Sequence, residues 1–263
     1  MKREHWIFKI LATSFVVFAL SSCHKKNIGD TVTIPPSSHT VSIEFRHFAD
    51  TSVLVYNKSF TTPYGEEFRV TLFKYYISNI ALIKTDSSLL VLPQTYHLVL
   101  HEDSLSHIIT LPGIPDGKYI GMQYLLGVDS LHNVTGAQEG ALDPVNGMFW
   151  NWNSGYIMAK LEGISNASTS PGNVFLYHTG GFGGPYSVLK TIRLFFNGET
   201  AHVAPLHQPR IYVKANVNEW FQTPSTLLIN QISVSNDPGP QSRMIADNYA
   251  DMFSYIGMIN LGK

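Results

Sequence analysis

Val41-Ser42-Ile43-Glu44-Phe45-Arg46-His47-Phe48 decides the fold class. Apolar and polar side chains alternate with a period of two, the pattern of an extended strand whose successive side chains point to opposite faces. Val41, Ile43 and Phe45 mark the apolar face, and His47 falls in register with them. The alternation returns further on. Phe68, Val70 and Leu72 alternate with Arg69, Thr71 and Phe73, and Ile120, Met122, Tyr124, Leu126 and Val128 share another face. Strand-like runs also cover 75–83, 89–92, 96–100, 174–178, 188–196, 210–217 and 227–234. Turn formers separate them, among them Pro115-Asp116-Gly117, Asn197-Gly198 and Asp237-Pro238-Gly239. Many short strands at near-regular spacing predict an antiparallel sandwich or barrel. Helix signals are sparse. A short C-terminal helix is expected over 242–255, where Ile245, Tyr249, Met252 and Phe253 fall on one stripe. Long irregular loops are expected over 136–147 and 165–173.

The N-terminus has a different character. Lys2 and Arg3 precede an apolar run from Ile7 to Leu20, and Leu20-Ser21-Ser22-Cys23 follows. A charged start, a short apolar stretch and small residues before a break describe a secretory signal. The run is too short and too interrupted for a good membrane span. Leu-Ser-Ser-Cys has the form of a bacterial lipobox, with cleavage before Cys23 and a lipid on that residue. Cys23 is the only cysteine in the chain, so lipidation would remove an otherwise reactive thiol. The expected organisation is a lipoprotein signal peptide over 1–22, a polar tether over 23–38 and one β domain over 39–263.

Composition narrows function. The chain carries 18 basic and 19 acidic side chains, a net charge of −1. The signal segment would take Lys2, Arg3 and Lys9 away against a single acid, Glu4, leaving the exported part more acidic. Nucleic acid, which calls for clustered positive charge, is not an expected partner. There is no Gly-x-Ser-x-Gly elbow and no His-Glu-x-x-His helix. Gly180-Gly181-Phe182-Gly183-Gly184 is not directly followed by Lys and Ser/Thr, and is read as a turn rather than a phosphate loop. Asp129, Asp143, Asp247 and Asp251 are candidate carboxylates for hydrolysis only by default, since Asp in loops usually caps backbone donors.

Two features point to metal chemistry. Gly147-Met148-Phe149-Trp150-Asn151-Trp152-Asn153-Ser154-Gly155-Tyr156 places two indoles on one face of an extended segment. Trp side chains dominate β cores through buried area, and indole is also readily oxidised. Of the 11 histidines, most lie near strand ends or polar loops, His101 and His107 among them. His47 and His178 each end an alternating series, His178 following Val174 and Leu176. Imidazole suits copper, zinc and nickel.

At these residues the chain resembles the MbnP-like copper-binding proteins, many of them lipoproteins of Bacteroidetes-type bacteria. The matching segments include Phe45-Arg46-His47, Phe73-Lys74-Tyr75-Tyr76-Ile77-Ser78-Asn79-Ile80, Gly127-Val128-Asp129-Ser130-Leu131-His132-Asn133, the tryptophan segment and Tyr177-His178-Thr179-Gly180. The match spans about residues 40 to 255. The resemblance implies an all-β, antiparallel β-sandwich that binds one copper ion through histidines and a kynurenine made from tryptophan by a di-haem cytochrome c peroxidase-type enzyme. Carried over to this chain, it implies His47 and His178 as imidazole ligands and Trp150 as the residue converted to kynurenine. Trp152, His132 and Met148 are alternatives.

The function implied is copper uptake or handling by a lipoprotein anchored to the outer membrane, facing the periplasm or the cell surface, without turnover of a substrate. The rival expectation is a carbohydrate-binding surface lipoprotein that stacks sugars on Trp150, Trp152 and Tyr156.

Overall fold

The computed structural model describes residues 39–136, 138–151 and 153–261. The signal, the tether, Cys23 and Trp152 lie outside the described residues. Sixteen strands run through the described residues: β1 Thr40–Ala49, β2 Ser52–Val53, β3 Ser59–Thr61, β4 Glu67–Lys84, β5 Leu89–Val91, β6 Tyr96–Leu100, β7 Ile108–Pro112 and β8 Gly117–Leu126, then β9 Phe149–Asn151, β10 Gly155–Ile164, β11 Val174–Gly180, β12 Lys190–Phe195, β13 Ala201–Val203, β14 Gln208–Asn216, β15 Val234–Ser235 and β16 Phe253–Leu261. A short helix α1 spans Ser130–Val134, and α2 spans Pro240–Tyr249.

The strands form two sheets. The smaller has the order β16-β14-β1-β2, with β7 also paired to β1; the larger runs β12-β8-β4-β10-β11-β15, with shorter strands on its margins. Phe45 of β1 joins them. Its ring meets Tyr75 of β4 at 6.0 Å, Tyr124 of β8 at 5.9 Å and Phe253 of β16 at 5.8 Å between centroids, all edge to face. Burying one such ring contributes about 1.5–3 kcal/mol, and edge-to-face pairing adds to that. The alternation read from β1 holds: Val41, Ile43 and Phe45 are fully buried on the inner face and His47 is 4 % exposed beside them.

The all-β sandwich is the observed architecture, with two departures from a purely antiparallel design. β1 pairs with β14 in parallel, and so does β11 with β15. Each pair joins segments far apart in sequence, so no tight hairpin imposes the antiparallel direction. The C-terminal helix is shorter than expected. It ends at Tyr249, a 3-10 turn covers Ala250–Met252, and Phe253 begins a strand on the edge of the smaller sheet. The stripe of Ile245, Tyr249, Met252 and Phe253 is buried all the same, because both elements turn those side chains into one core. Residues 227–232 are not a strand: Leu227 and Ile229 are buried from an irregular segment, and only Val234–Ser235 pairs.

Candidate metal centre

His47 stands where β1 changes partners. β7 pairs with Thr40 to Glu44, and β2 pairs with Phe48 and Ala49. Between them the Phe45 N–H donates to the His107 carbonyl at 2.9 Å, and the Leu54 N–H donates to the His47 carbonyl at 2.9 Å. The switch of partners leaves a notch in the sheet edge over the His47 side chain. Into it project two more imidazoles, from the loop joining β6 to β7.

That loop is tightly made. The His101 N–H donates to the Phe73 carbonyl at 3.0 Å, continuing the β6 ladder, and Ser106 Oγ accepts the Leu100 N–H at 2.8 Å. His107 Nε2 donates to the Leu100 carbonyl at 2.8 Å. A carbonyl only accepts, so this bond puts a hydrogen on Nε2 and leaves Nδ1 as the nitrogen that can face a metal. The Tyr56 ring meets His101 edge-on at 4.5 Å, and the Tyr56 hydroxyl is held by the Phe73 N–H and the Glu102 carboxylate.

The three rings converge. His47 lies 5.1 Å from His101 and 4.6 Å from His107 between centroids. His47 Nδ1 is 2.9 Å from His101 Nδ1, and His47 Nε2 is 3.1 Å from the buried Tyr75 hydroxyl. One donor nitrogen from each of the three histidines lies within 4.8 Å of the others. Nitrogens that share an ion at about 2.0 Å are at most about 4 Å apart, so a small turn of one ring closes the set. Burial pushes the His47 imidazole well below its ordinary 6.5, and the neighbouring His107 and His101 add to the effect. His101 is lowered for the same reason, burial first and His107 next, with Glu102 opposing. Both rings are therefore neutral at neutral pH, the form that binds metal. The cleft over them has a volume of about 510 Å³. Leu105 and Val53 on its rim are 81 % and 61 % exposed.

His178 is elsewhere. In the larger sheet Lys160 stands opposite both Lys74 and His178. Tyr75, the next residue after Lys74, touches His47 on the inner face, so the row of Lys74, Lys160 and His178 lies on the outer face. The sheet therefore separates His47 from His178. Val174 and Leu176 share the outer face with His178; it is the solvent side, covered locally by loops. His178 Nε2 contacts Glu162 Oε1 at 2.7 Å, and Nδ1 contacts Asn236 Oδ1 at 2.8 Å. Asn236 Oδ1 also accepts the Trp150 indole N–H at 3.3 Å. Both His178 nitrogens thus face acceptors, and the Glu162 carboxyl is held below its usual range chiefly by the His178 bond.

Trp150 therefore does meet His178, through Asn236. Its ring lies over Gly180, where a Cβ would collide with the six-membered indole ring. Two lysines fix the turn before it: Lys74 Nζ donates to the Asn146 carbonyl at 2.8 Å and Lys160 Nζ to the Gly147 carbonyl at 2.6 Å. Met148 is fully buried in the core. His132 sits beside Tyr96 and Asp129, at 2.6 Å and 3.1 Å from Nδ1. Tyr156 is buried and its hydroxyl donates to the Leu142 carbonyl at 2.7 Å, so it offers no face to a sugar. Among the default carboxylates, Asp129 caps α1, Asp143 caps a 3-10 turn, and Asp247 is paired with Lys190 and Arg243.

His101 and His107 are the members that sequence reading set aside as loop residues. The available signal was their spacing. They bracket the five-residue segment Glu102-Asp103-Ser104-Leu105-Ser106, whose Asp and Ser favour a compact turn that returns both ends to one place.

The architecture and the cluster define a β-sandwich with an imidazole trio, compatible with metal binding, at a notch in one sheet. The chain belongs to the MbnP family, whose profile matches residues 38–244. Among solved structures, MbnP from Methylosinus trichosporium is similar, with 14 % identity, a TM-score of 0.49, and coverage of 77 % of this chain and 83 % of that one. No curated protein matches.

Proposed function

We propose that this protein is a periplasm-facing lipoprotein that binds one copper ion at His47, His101 and His107, for copper uptake or handling. The observation that carries the reading is the convergence of three imidazole donors within 4.8 Å. The donor chemistry fits the ion. The set is all nitrogen, with no carboxylate among the three, and imidazole sites rank copper above the other first-row divalent metals. Copper when bound would supply a redox-active, ligand-exchanging centre. The chain's own residues give it a seat: Leu100 fixes the His107 tautomer, Tyr56 buttresses His101, and Tyr75 holds the far nitrogen of His47. The half-open cleft lets the ion enter and leave, which suits a carrier rather than an enzyme with turnover. Lipid on Cys23 would tether the domain to the outer membrane, and residues 23–38 would give it reach.

Trp150 belongs to the same reading as a modification site on the other face. Oxidation by a di-haem cytochrome c peroxidase-type enzyme would open the indole to a kynurenine whose aryl amine replaces the N–H now bonded to Asn236. His178 would join an ion there only by giving up Glu162 or Asn236.

The test is metal stoichiometry of the purified protein with copper under competition from a chelator. One equivalent is expected, and His101→Ala with His107→Ala should weaken it at least tenfold, about 1.4 kcal/mol. Unchanged affinity in that double variant would remove the trio from the copper site. Peptide mapping of protein from its native host decides separately whether Trp150 is converted.

A further inference from the structure

A second group of ligand-type side chains lies at the other end of β6. His101 follows the last residue of this strand and Tyr96 is its first, roughly 16 Å away at 3.3 Å per residue. Tyr96 is fixed by pairing with Ser78 of β4. Its hydroxyl oxygen meets two side chains from one turn of chain, Asp129 and His132. Asp129 is the N-cap of α1, its Oδ1 accepting the His132 N–H at 3.2 Å. The i, i+3 spacing then puts both side chains on one face.

Three donor atoms converge there. Asp129 Oδ2 is in direct hydrogen-bond contact with the Tyr96 hydroxyl. His132 Nδ1 lies 2.6 Å from that hydroxyl and 3.1 Å from Asp129 Oδ1. Gln94 Nε2 donates to the Tyr96 oxygen at 2.7 Å and to Asp129 Oδ2 at 2.9 Å. The Asp129 and His132 side chains are 20 % and 25 % exposed, so the cluster is neither dry nor freely solvated.

We propose that Tyr96, Asp129 and His132 form a second metal site, a facial triad of two oxygens and one nitrogen for ferric iron. Adjacent donors around an octahedral ion at about 2.1 Å stand about 3 Å apart, so the Tyr96 oxygen, now 2.6 Å from His132 Nδ1 and in hydrogen-bond contact with Asp129 Oδ2, opens slightly from both to seat the ion. A face of three protein ligands leaves three positions for water, the arrangement of open iron sites built on a carboxylate and imidazoles. Charge separates this place from the imidazole trio. A phenolate and a carboxylate bring two negative charges and hard oxygens, suited to a small, highly charged cation. The trio brings imidazole nitrogens only, with no anionic donor among them. Asp129 can ligate through Oδ2 while Oδ1 keeps the helix cap, and the Gln94 amide stays as a donor to both anionic oxygens. On binding, the Tyr96 hydroxyl gives its proton to water and its oxygen to the ion. The site does not depend on copper at the trio.

The experiment adds ferric iron as its nitrilotriacetate complex to the metal-free full-length protein and follows the visible spectrum. Tyrosinate bound to ferric iron gives a charge-transfer band that imidazole and carboxylate alone do not. The expected result is one equivalent of iron with that band. Tyr96→Phe should abolish the band and weaken iron binding at least tenfold. Asp129→Asn keeps the helix cap, since Asn caps as well as Asp, and should keep the band while weakening binding at least tenfold. The His101→Ala, His107→Ala protein should bind iron as the parent does. A latch that only ties α1 to β6 gives no band in the parent protein. That outcome, a band surviving in Tyr96→Phe, or full affinity in Asp129→Asn each overturns the proposal.

Discussion

His47 and Tyr75 face each other across the sandwich, ring nitrogen Nε2 to hydroxyl at 3.1 Å, on the inner faces of the two sheets. That contact leaves Nδ1 of His47 directed at His101, 2.9 Å away. The orientation of the deepest imidazole is thus set by a residue of the opposite sheet. Tyr75→Phe keeps the ring packing against Phe45 and Phe253 and deletes only the hydroxyl. It strands a buried ring nitrogen, and a loss of about 1–3 kcal/mol is expected in urea unfolding. Copper affinity should fall as well, because nothing from the opposite sheet then holds the His47 ring with Nδ1 toward His101. Unchanged stability and affinity would show that the hydroxyl does not orient His47.

Acid should weaken the metal-free protein through the same residue. His47 and His101 are both pushed below 6.5 in the folded state. As pH falls past 6.5, the unfolded chain takes up protons that the folded one resists, so stability declines from there downward and is fully present above it. The midpoint of urea unfolding should drop between about pH 6.5 and 5, and His47→Ala should flatten that dependence. An equal slope in the variant would assign the acid sensitivity to other groups.

Gly180 has no side chain because Trp150 occupies its place. Gly180→Ala sets a methyl against the indole ring, and overpacking of this kind costs about 1–3 kcal/mol. The ring should be displaced outward, breaking its bond to Asn236. A red-shifted tryptophan emission together with a lower unfolding midpoint is the expected result. A variant with parent-like emission and stability would mean that the indole does not rest on Gly180.

Truncating Phe45 tests the joint between the sheets. Phe45→Ala removes a ring that touches Tyr75, Tyr124 and Phe253 at once, and such substitutions cost about 3–5 kcal/mol. Since His47 lies two residues further along the same face, copper affinity should suffer together with stability. A loss under about 1 kcal/mol in chemical denaturation would place the main joint elsewhere.

The alternation in β1 was enough to bury Val41, Ile43, Phe45 and His47 correctly, because one face of that strand meets the core throughout. β4 reads in sequence as two pieces. Its register shifts between Ser78 and Ala81, with Asn79 at φ 52°, so the alternation breaks although the strand continues. β10 gives no alternating signal for a different reason: it is central, and its first five residues are buried without alternation. For His178 the periodicity was real but periodicity does not say which face is inward, and here the series faces outward. The trio needed contact between a strand and a loop 54 residues later, which no local pattern encodes.

The larger sheet lies between His47, which touches Tyr75 of β4, and Trp150, which rests on Gly180 of β11 on the other face. A reagent, ion or enzyme reaching the indole therefore gains no access to the imidazole trio, and the reverse is also true. On the function proposed above, metal at the trio and oxidation of the indole are independent events, and populations that differ on one side only would follow. Any influence of one upon the other passes through the sheet itself, as displacement of β4 and β10 or as a field across them, and not by exchange of solvent.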